Sequence, residues 1–213
     1  MNRVFLLSPA NCNGVRAQWV LKKSARSDLA LRLRGAEGVP LGEVFSFFSA
    51  LYFRGKLAYA RAFARPPANG HGVLIITPTA GLLPHDTAVR LSRLRGFARV
   101  PIHKKHQLYR RSLLRTARTL AADVGPDCEI ILLGSIASGK YLEILTHVLG
   151  DRLRVPADFI GLGDMSRGGL LLRCVREQRE LEYISAVGVF SSRTKAVKRT
   201  VLGACLSNRA EGS

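Results

Sequence analysis

Residues Gly134 to Tyr141 read Gly-Ser-Ile-Ala-Ser-Gly-Lys-Tyr, directly after the apolar run Glu129-Ile130-Ile131-Leu132-Leu133. A strand, a glycine loop, a lysine and a helix is the order of a phosphate-cradling P-loop. Backbone N–H groups and the positive end of the helix would face an anion there. Gly134, Ser135, Ser138, Gly139 and Lys140 are therefore candidates for holding a phosphate. The closing position differs from the P-loop pattern. Tyr141 stands where a Ser or Thr hydroxyl would hold Mg²⁺, and no strand ending in a magnesium-binding Asp follows. An anion contact without hydrolysis, or a plain strand-to-helix turn, fits these residues as well as nucleotide chemistry does.

Three further groups have the right residue types for a site. Ser8-Pro9-Ala10-Asn11-Cys12-Asn13-Gly14 follows the first apolar run, and Thr77-Pro78-Thr79 follows the second. Ser8, Asn11, Asn13, Thr77 and Thr79 are short polar side chains that line a pocket or simply build turns. Gly161 to Gly169 holds four glycines, with Asp164 and Arg167 between them. Asp164 is the first choice for a general base, as the one acid in a glycine-rich loop. Arg167 acts on the same ligand or pairs with Asp164. Of the four cysteines, Cys128 and Cys174 read as core. Cys12 in its polar loop would need an activating neighbour to be a nucleophile. No pair of cysteines has metal or redox spacing, and no metal-ligand cluster or cofactor motif is present.

The net charge is +18, and it is polarised. Residues 1–120 hold 21 Lys and Arg against four acids. Residues 121–213 hold 12 against 11. From Arg90 to Arg118 there are ten cations and no acid, including Lys104, Lys105, Arg111, Arg115 and Arg118. The last three fall at i, i+4 and i+7, one face of a helix. Such a run suits a polyanion, whose binding releases counterions. A solvated basic face is the plainer reading.

These residues need elements to hold them. Val4 to Leu7, Val73 to Ile76 and Glu129 to Leu133 are continuous apolar runs, as in strands buried on both faces. Helical patterns lie between them: Val15–Leu21, Ser27–Leu33, Leu41–Phe63 (interrupted at Gly55), Lys104–Val124 and a helix through Leu149. Arg154–Pro156 begins a short strand or turn. Leu170–Val175 and Leu181–Val189 read as last strands, a hairpin around Arg176–Glu180. The expectation is an α/β fold: a single domain over 1–190, with a mainly parallel central sheet covered by helices on both faces. Residues 191–213 read as a basic, flexible tail. Ligands of such sheets sit beyond the carboxyl ends of the strands, where all three loops lie. Four apolar residues near Met1 are too few for a signal peptide, and no run reaches the ~20 needed to cross a bilayer. A cytoplasmic protein without membrane contact is expected.

Leu51-Tyr52-Phe53-Arg54-Gly55-Lys56 and the segment Ile75 to Thr87, with Gly81-Leu82-Leu83-Pro84 and Asp86, resemble an uncharacterised bacterial α/β family. That family is similar to YaaA-like proteins and, more remotely, to the uracil-DNA-glycosylase-like fold. The resemblance spans roughly residues 1–145. It implies an α/β fold and a link to nucleic acid or nucleobases. The water-activating carboxylate of such glycosylases has no counterpart beside Asn11 and Asn13. The leading expectation is nucleic-acid binding by Arg90–Arg118, with an anion or nucleobase pocket at the strand ends. The alternative is a small-molecule enzyme holding a phosphorylated substrate at Gly134–Lys140, with Asp164 as acid–base. A third is a partner protein for an acidic protein target.

Overall fold

The computed structural model describes residues 1–135 and 139–189. Ser138 and the tail from residue 191 lie outside the described residues. The elements in chain order are β1 (Arg3–Leu7), α1 (Val15–Leu21), α2 (Asp28–Arg34), β2 (Val39–Pro40), α3 (Leu41–Phe63), β3 (Val73–Thr77), β4 (Gly81–Pro84), β5 (Ala88–Val89), α4 (Leu91–Arg99), α5 (Gln107–Asp123), β6 (Glu129–Leu133), α6 (Leu142–Leu149), β7 (Leu153–Pro156), α7 (Asp164–Arg176) and β8 (Tyr183–Ser185).

Val4, Phe5, Leu6 and Leu7 are all fully buried, although alternate side chains of a strand point to opposite faces. Both faces of the sheet must therefore be covered. The strand order is β4-β3-β1-β6-β7-β8. β3, β1, β6 and β7 run parallel, and β4 and β8 close the edges antiparallel. α3 packs on α7, and α5 on α6. The crossover from β1 to β3 moves to one side and that from β3 to β6 to the other. Right-handed crossovers then place α3 and α5 on opposite faces. The expected α/β architecture is the one found. Each buried Leu or Ile in this core is worth roughly 1.5–3 kcal/mol.

Several local expectations are corrected. The break in Leu41–Phe63 is at Ala50 (φ 44°, ψ −121°), and Gly55 is helical. Gly55 is there because α7 presses on it: a Cβ would lie 2.7 Å from the carbonyl oxygen of Gly168. Asp164 to Gly169 is the start of α7 rather than a loop, and Leu170–Val175 continues that helix rather than a strand. Leu171 and Cys174, three apart, bury its inner side. The hairpin is therefore absent, and only Tyr183–Ser185 of the last apolar stretch is strand, paired with β7. The basic helix begins at Gln107, leaving Val100–His106 as a connection. α4 buries Leu91, Leu94 and Phe97, a helical spacing absent from the expectation above, and the edge strand β4 is too short to show a period. Leu82 and Leu83 join the sheet because β4 folds back on β3 through Thr77, whose Oγ1 donates to the Gly81 carbonyl (2.8 Å).

The chain reverses its winding at β1. The crevice of a doubly wound sheet opens at such a point, beyond the carboxyl ends of β1 and β6. Ser8 follows the first strand and Gly134 the second. The Ser8 N–H donates to the Leu133 carbonyl (3.0 Å), extending the parallel ladder by one residue. The backbone of Ser8 is thus held as firmly as the strands are.

Candidate functional site

A pocket of about 600 Å³ fills this crevice. The β1 loop from Ser8 to Asn13, Ser49, Tyr52 and Lys56 of α3, and Pro78 wall it on one side. Phe97, Val100, Pro101 and Ile102 form an apolar lip, and Ser135, Lys140, Tyr141 and Asp164 complete it. The volume is that of a small-molecule site.

Its floor is a cluster that sequence reading missed. Lys56 is 1% exposed. Its Nζ lies 2.7 Å from Ser8 Oγ and 2.6 Å from the Ser8 carbonyl oxygen. It sits over the rings of Tyr52 (4.5 Å) and Phe53 (4.8 Å). Among the described residues no carboxylate forms an ion pair with it. Burial pushes its pKa down from 10.5 to about 7, with Asp164 raising and Arg167 lowering it. One feature of the sequence marks Lys56. It falls at i+4 from Tyr52 and i−3 from Tyr59, in the middle of the apolar stripe of α3, where a lysine must be buried.

Tyr141 is the second member. Its hydroxyl hydrogen-bonds the Ser8 side chain and the backbone of Ser135, and burial pushes its pKa up to about 12. The residue that departs from the P-loop pattern therefore reaches back to the end of β1. Gly134 makes room for this approach. A Cβ there would lie 2.8 Å from Ser8 Cβ and 2.9 Å from the Tyr141 hydroxyl. Tyr52 adds a buried hydroxyl to the same wall, with the Arg167 side chain as its hydrogen-bonding neighbour.

Compared with known proteins, the chain matches no family model, no curated protein and no solved structure.

The other expected residues divide. Ser8, Asn11, Asn13, Ser135, Lys140 and Asp164 line the pocket. Asn11 and Asn13 also build the turn: Asn11 Oδ1 accepts from the Asn13 N–H (2.9 Å), and Asn13 Nδ2 donates to the Ala98 carbonyl (2.8 Å). Thr77 and Thr79 lie outside the lining. Thr77 shapes the β3–β4 turn, and the Thr79 carbonyl accepts from Ser112 Oγ (2.8 Å). Asp164 is in the first turn of α7, with its side chain 65% exposed and 3.4 Å from Arg167. Arg167 is buried behind it, donating to the Phe159 carbonyl (2.7 Å). Gly139 has a positive φ of 59°, a turn conformation that glycine adopts readily. Arg111, Arg115 and Arg118 are exposed along α5, opposite the buried Leu113, Ala117 and Leu120. Lys105 is exposed, and Lys104 pairs with Glu143 (2.7 Å).

Cys12 is buried, and its thiol pKa is pushed up to about 12 by desolvation. A thiol in that state is a poor nucleophile. In native protein the Cys12 peptide should stay unalkylated by iodoacetamide at pH 8, and become labelled in urea, as read by peptide mass spectrometry. Among the described residues no cluster of His, Cys, Asp and Glu could hold a metal, and no helix is long and apolar enough to cross a membrane.

Proposed function

We propose that the protein binds a nucleic acid along α5 and the α4–α5 connection, and takes one of its nucleobases or phosphates into the strand-end pocket. One observation carries this reading. The acid-free run Arg90–Arg118 supplies both the apolar lip of the pocket, Phe97 to Ile102, and the exposed arginines of α5. α5 leads from the pocket end of the sheet toward the opposite end. A polyanion tracking Arg111, Arg115 and Arg118 would thus pass the pocket mouth. The lip offers apolar surface for a base, and the wall offers neutral hydrogen-bonding groups on Tyr52, Tyr141 and Asn11.

The test is fluorescence anisotropy with labelled tRNA, single-stranded DNA and duplex DNA over a salt series. Affinity should fall steeply with salt. Replacing Arg111, Arg115 and Arg118 together by alanine should reduce the salt slope by about 2–3, near one per lost phosphate contact. Binding that is absent, or that ignores both salt and the three substitutions, would overturn the proposal.

A phosphorylated small molecule is the second reading, favoured by Lys140 and Ser135 at the pocket rim. A thermal shift with nucleotides or sugar phosphates, lost in Lys140→Ala, would select it.

A further inference from the structure

The floor of the pocket has a geometry that ligand binding alone does not use. Ser8 and Lys56 are 48 residues apart in sequence, yet the hydroxyl and the amine meet at 2.7 Å, both residues being buried at the pocket floor. We propose that Ser8 is an acyl-accepting nucleophile and Lys56 its general base, so that the pocket is a Ser–Lys catalytic site for esters or related activated carbonyl compounds. This goes beyond nucleic-acid binding and does not depend on it.

The argument begins with Lys56. A buried ammonium with no ion-pair partner among the described residues is expensive, and burial outweighs the field of Asp164, which Arg167 opposes, to favour the neutral amine. A neutral amine has two N–H groups and one lone pair. One N–H donates to the Ser8 carbonyl at 2.6 Å. The amine also donates to Ser8 Oγ at 2.7 Å, and when it turns its lone pair to that oxygen it accepts the Ser8 hydroxyl proton across the same contact. A serine with a base at hydrogen-bond distance is the activated nucleophile of acyl transfer, and lysine is one of the bases that fill this role. The base is not isolated from its conjugate acid either. The Tyr52 and Phe53 ring faces stabilise the ammonium formed when the proton arrives.

The nucleophile is held from three sides. Its N–H is fixed to Leu133, its carbonyl to Lys56, and its side chain also meets the Tyr141 hydroxyl. Tyr52 places a buried hydroxyl in the same wall, beside the Arg167 side chain, a donor for an oxygen that gains negative charge. The lining favours a carbonyl over a phosphodiester centre. Among the described residues, Lys140, exposed at the rim, is the one cation it holds besides Lys56. A phosphodiester under attack gathers more negative charge than that would balance.

Water is the one further reactant. Ser8 Oγ bonds to the carbonyl carbon as its proton moves to Lys56 Nζ. The bond to the leaving oxygen breaks, and Lys56 returns the proton to that oxygen. Water then loses a proton to Lys56 and attacks the acyl group. The acyl–Oγ bond breaks, and Ser8 recovers its proton.

The test is p-nitrophenyl acetate with the full-length protein, in the absence of nucleic acid. Expected is a burst of about one nitrophenolate per protein, with the acetyl group found on Ser8 by peptide mass spectrometry. The burst rate should rise through pH 7 to a plateau, following the neutral amine. Ser8→Ala should abolish the acetylated Ser8 peptide and the burst. Lys56→Met should slow the burst by about 100-fold or more. Lys56→Arg, which keeps a cation but has no accessible neutral form, should do the same. Where a Lys56 variant fails to fold, judged by circular dichroism, Ser8→Ala and the wild-type pH profile decide. No burst, acetyl on other residues with Ser8 unmodified, or a wild-type burst in folded Lys56→Met would each overturn the proposal. Since no nucleic acid enters this assay, its failure leaves the anisotropy result standing, and the reverse holds too.

Discussion

Lys56→Met is expected to stabilise the protein at pH 6 and to lose that advantage above pH 10. In the folded protein the amine titrates near 7, against 10.5 when unburied. Between those values the unfolded chain holds a proton that the folded chain does not. Wild-type stability therefore rises with pH through this window, by up to roughly 5 kcal/mol from this group. Below pH 7 both states are protonated and the full penalty of the buried charge is present. Above 10.5 both are neutral and the penalty is gone. Met has similar length and no charge, so its variant has no such slope. It also leaves the Ser8 carbonyl without its lysine partner, at a cost of about 1–3 kcal/mol. The net expectation is a gain of about 2–4 kcal/mol at pH 6 and a loss of about 1–3 above pH 10. Urea unfolding at pH 6, 8 and 10 measures the difference, and pairing the two proteins cancels every other titrating group. Parallel stability curves would mean that Lys56 stays charged when folded, held by the Ser8 carbonyl and the two rings. A lysine of that kind cannot serve as the base for Ser8.

The expectation also explains why the site was half legible in the sequence. The three apolar runs announced the parallel strands, because strands covered on both faces carry no alternation to obscure them. The strand order was not readable, but the position of a crevice at the strand ends was, and Ser8, Asn11, Asn13, Ser135, Lys140 and Asp164 do line it. Lys56 was hidden because a lysine in a helix is ordinarily a surface residue. Only its position in the stripe of Tyr52 and Tyr59 betrayed burial. Tyr141 read as a defect of a phosphate loop, although its hydroxyl is what meets Ser8. The segment from Gly161 misled for a different reason. Glycine density suggests turns, but a glycine in a helix also permits close helix contact, and the sequence does not distinguish the two uses. Gly161 has the positive φ of a turn (81°), whereas Gly168 is a contact glycine.

That distinction gives a paired expectation at two adjacent residues. Gly168→Ala should destabilise the protein by about 1–3 kcal/mol, as overpacking does, and Gly169→Ala should stabilise it by about 0.5–1 kcal/mol. A Cβ on Gly168 would lie 2.9 Å from the Tyr52 Cα and 3.1 Å from the Leu51 carbonyl oxygen. Both are backbone atoms, so no side chain can turn aside, and α7 must shift away from α3. A Cβ on Gly169 meets nothing within 4 Å. There alanine only removes the conformational freedom of a helical glycine. The two substitutions are chemically identical and one residue apart, so denaturation midpoints compare packing alone. The consequence reaches the site, because Gly168 sits between Tyr52 of the pocket wall and the turn of α7 that carries Asp164 and Arg167. Moving α7 also changes the field of Asp164 and Arg167 at Lys56. Gly168→Ala should therefore shift the midpoint of the burst-rate pH profile, while Gly169→Ala leaves it in place. Equal stability effects from both alanines would mean that α3 and α7 are not pressed together at this crossing.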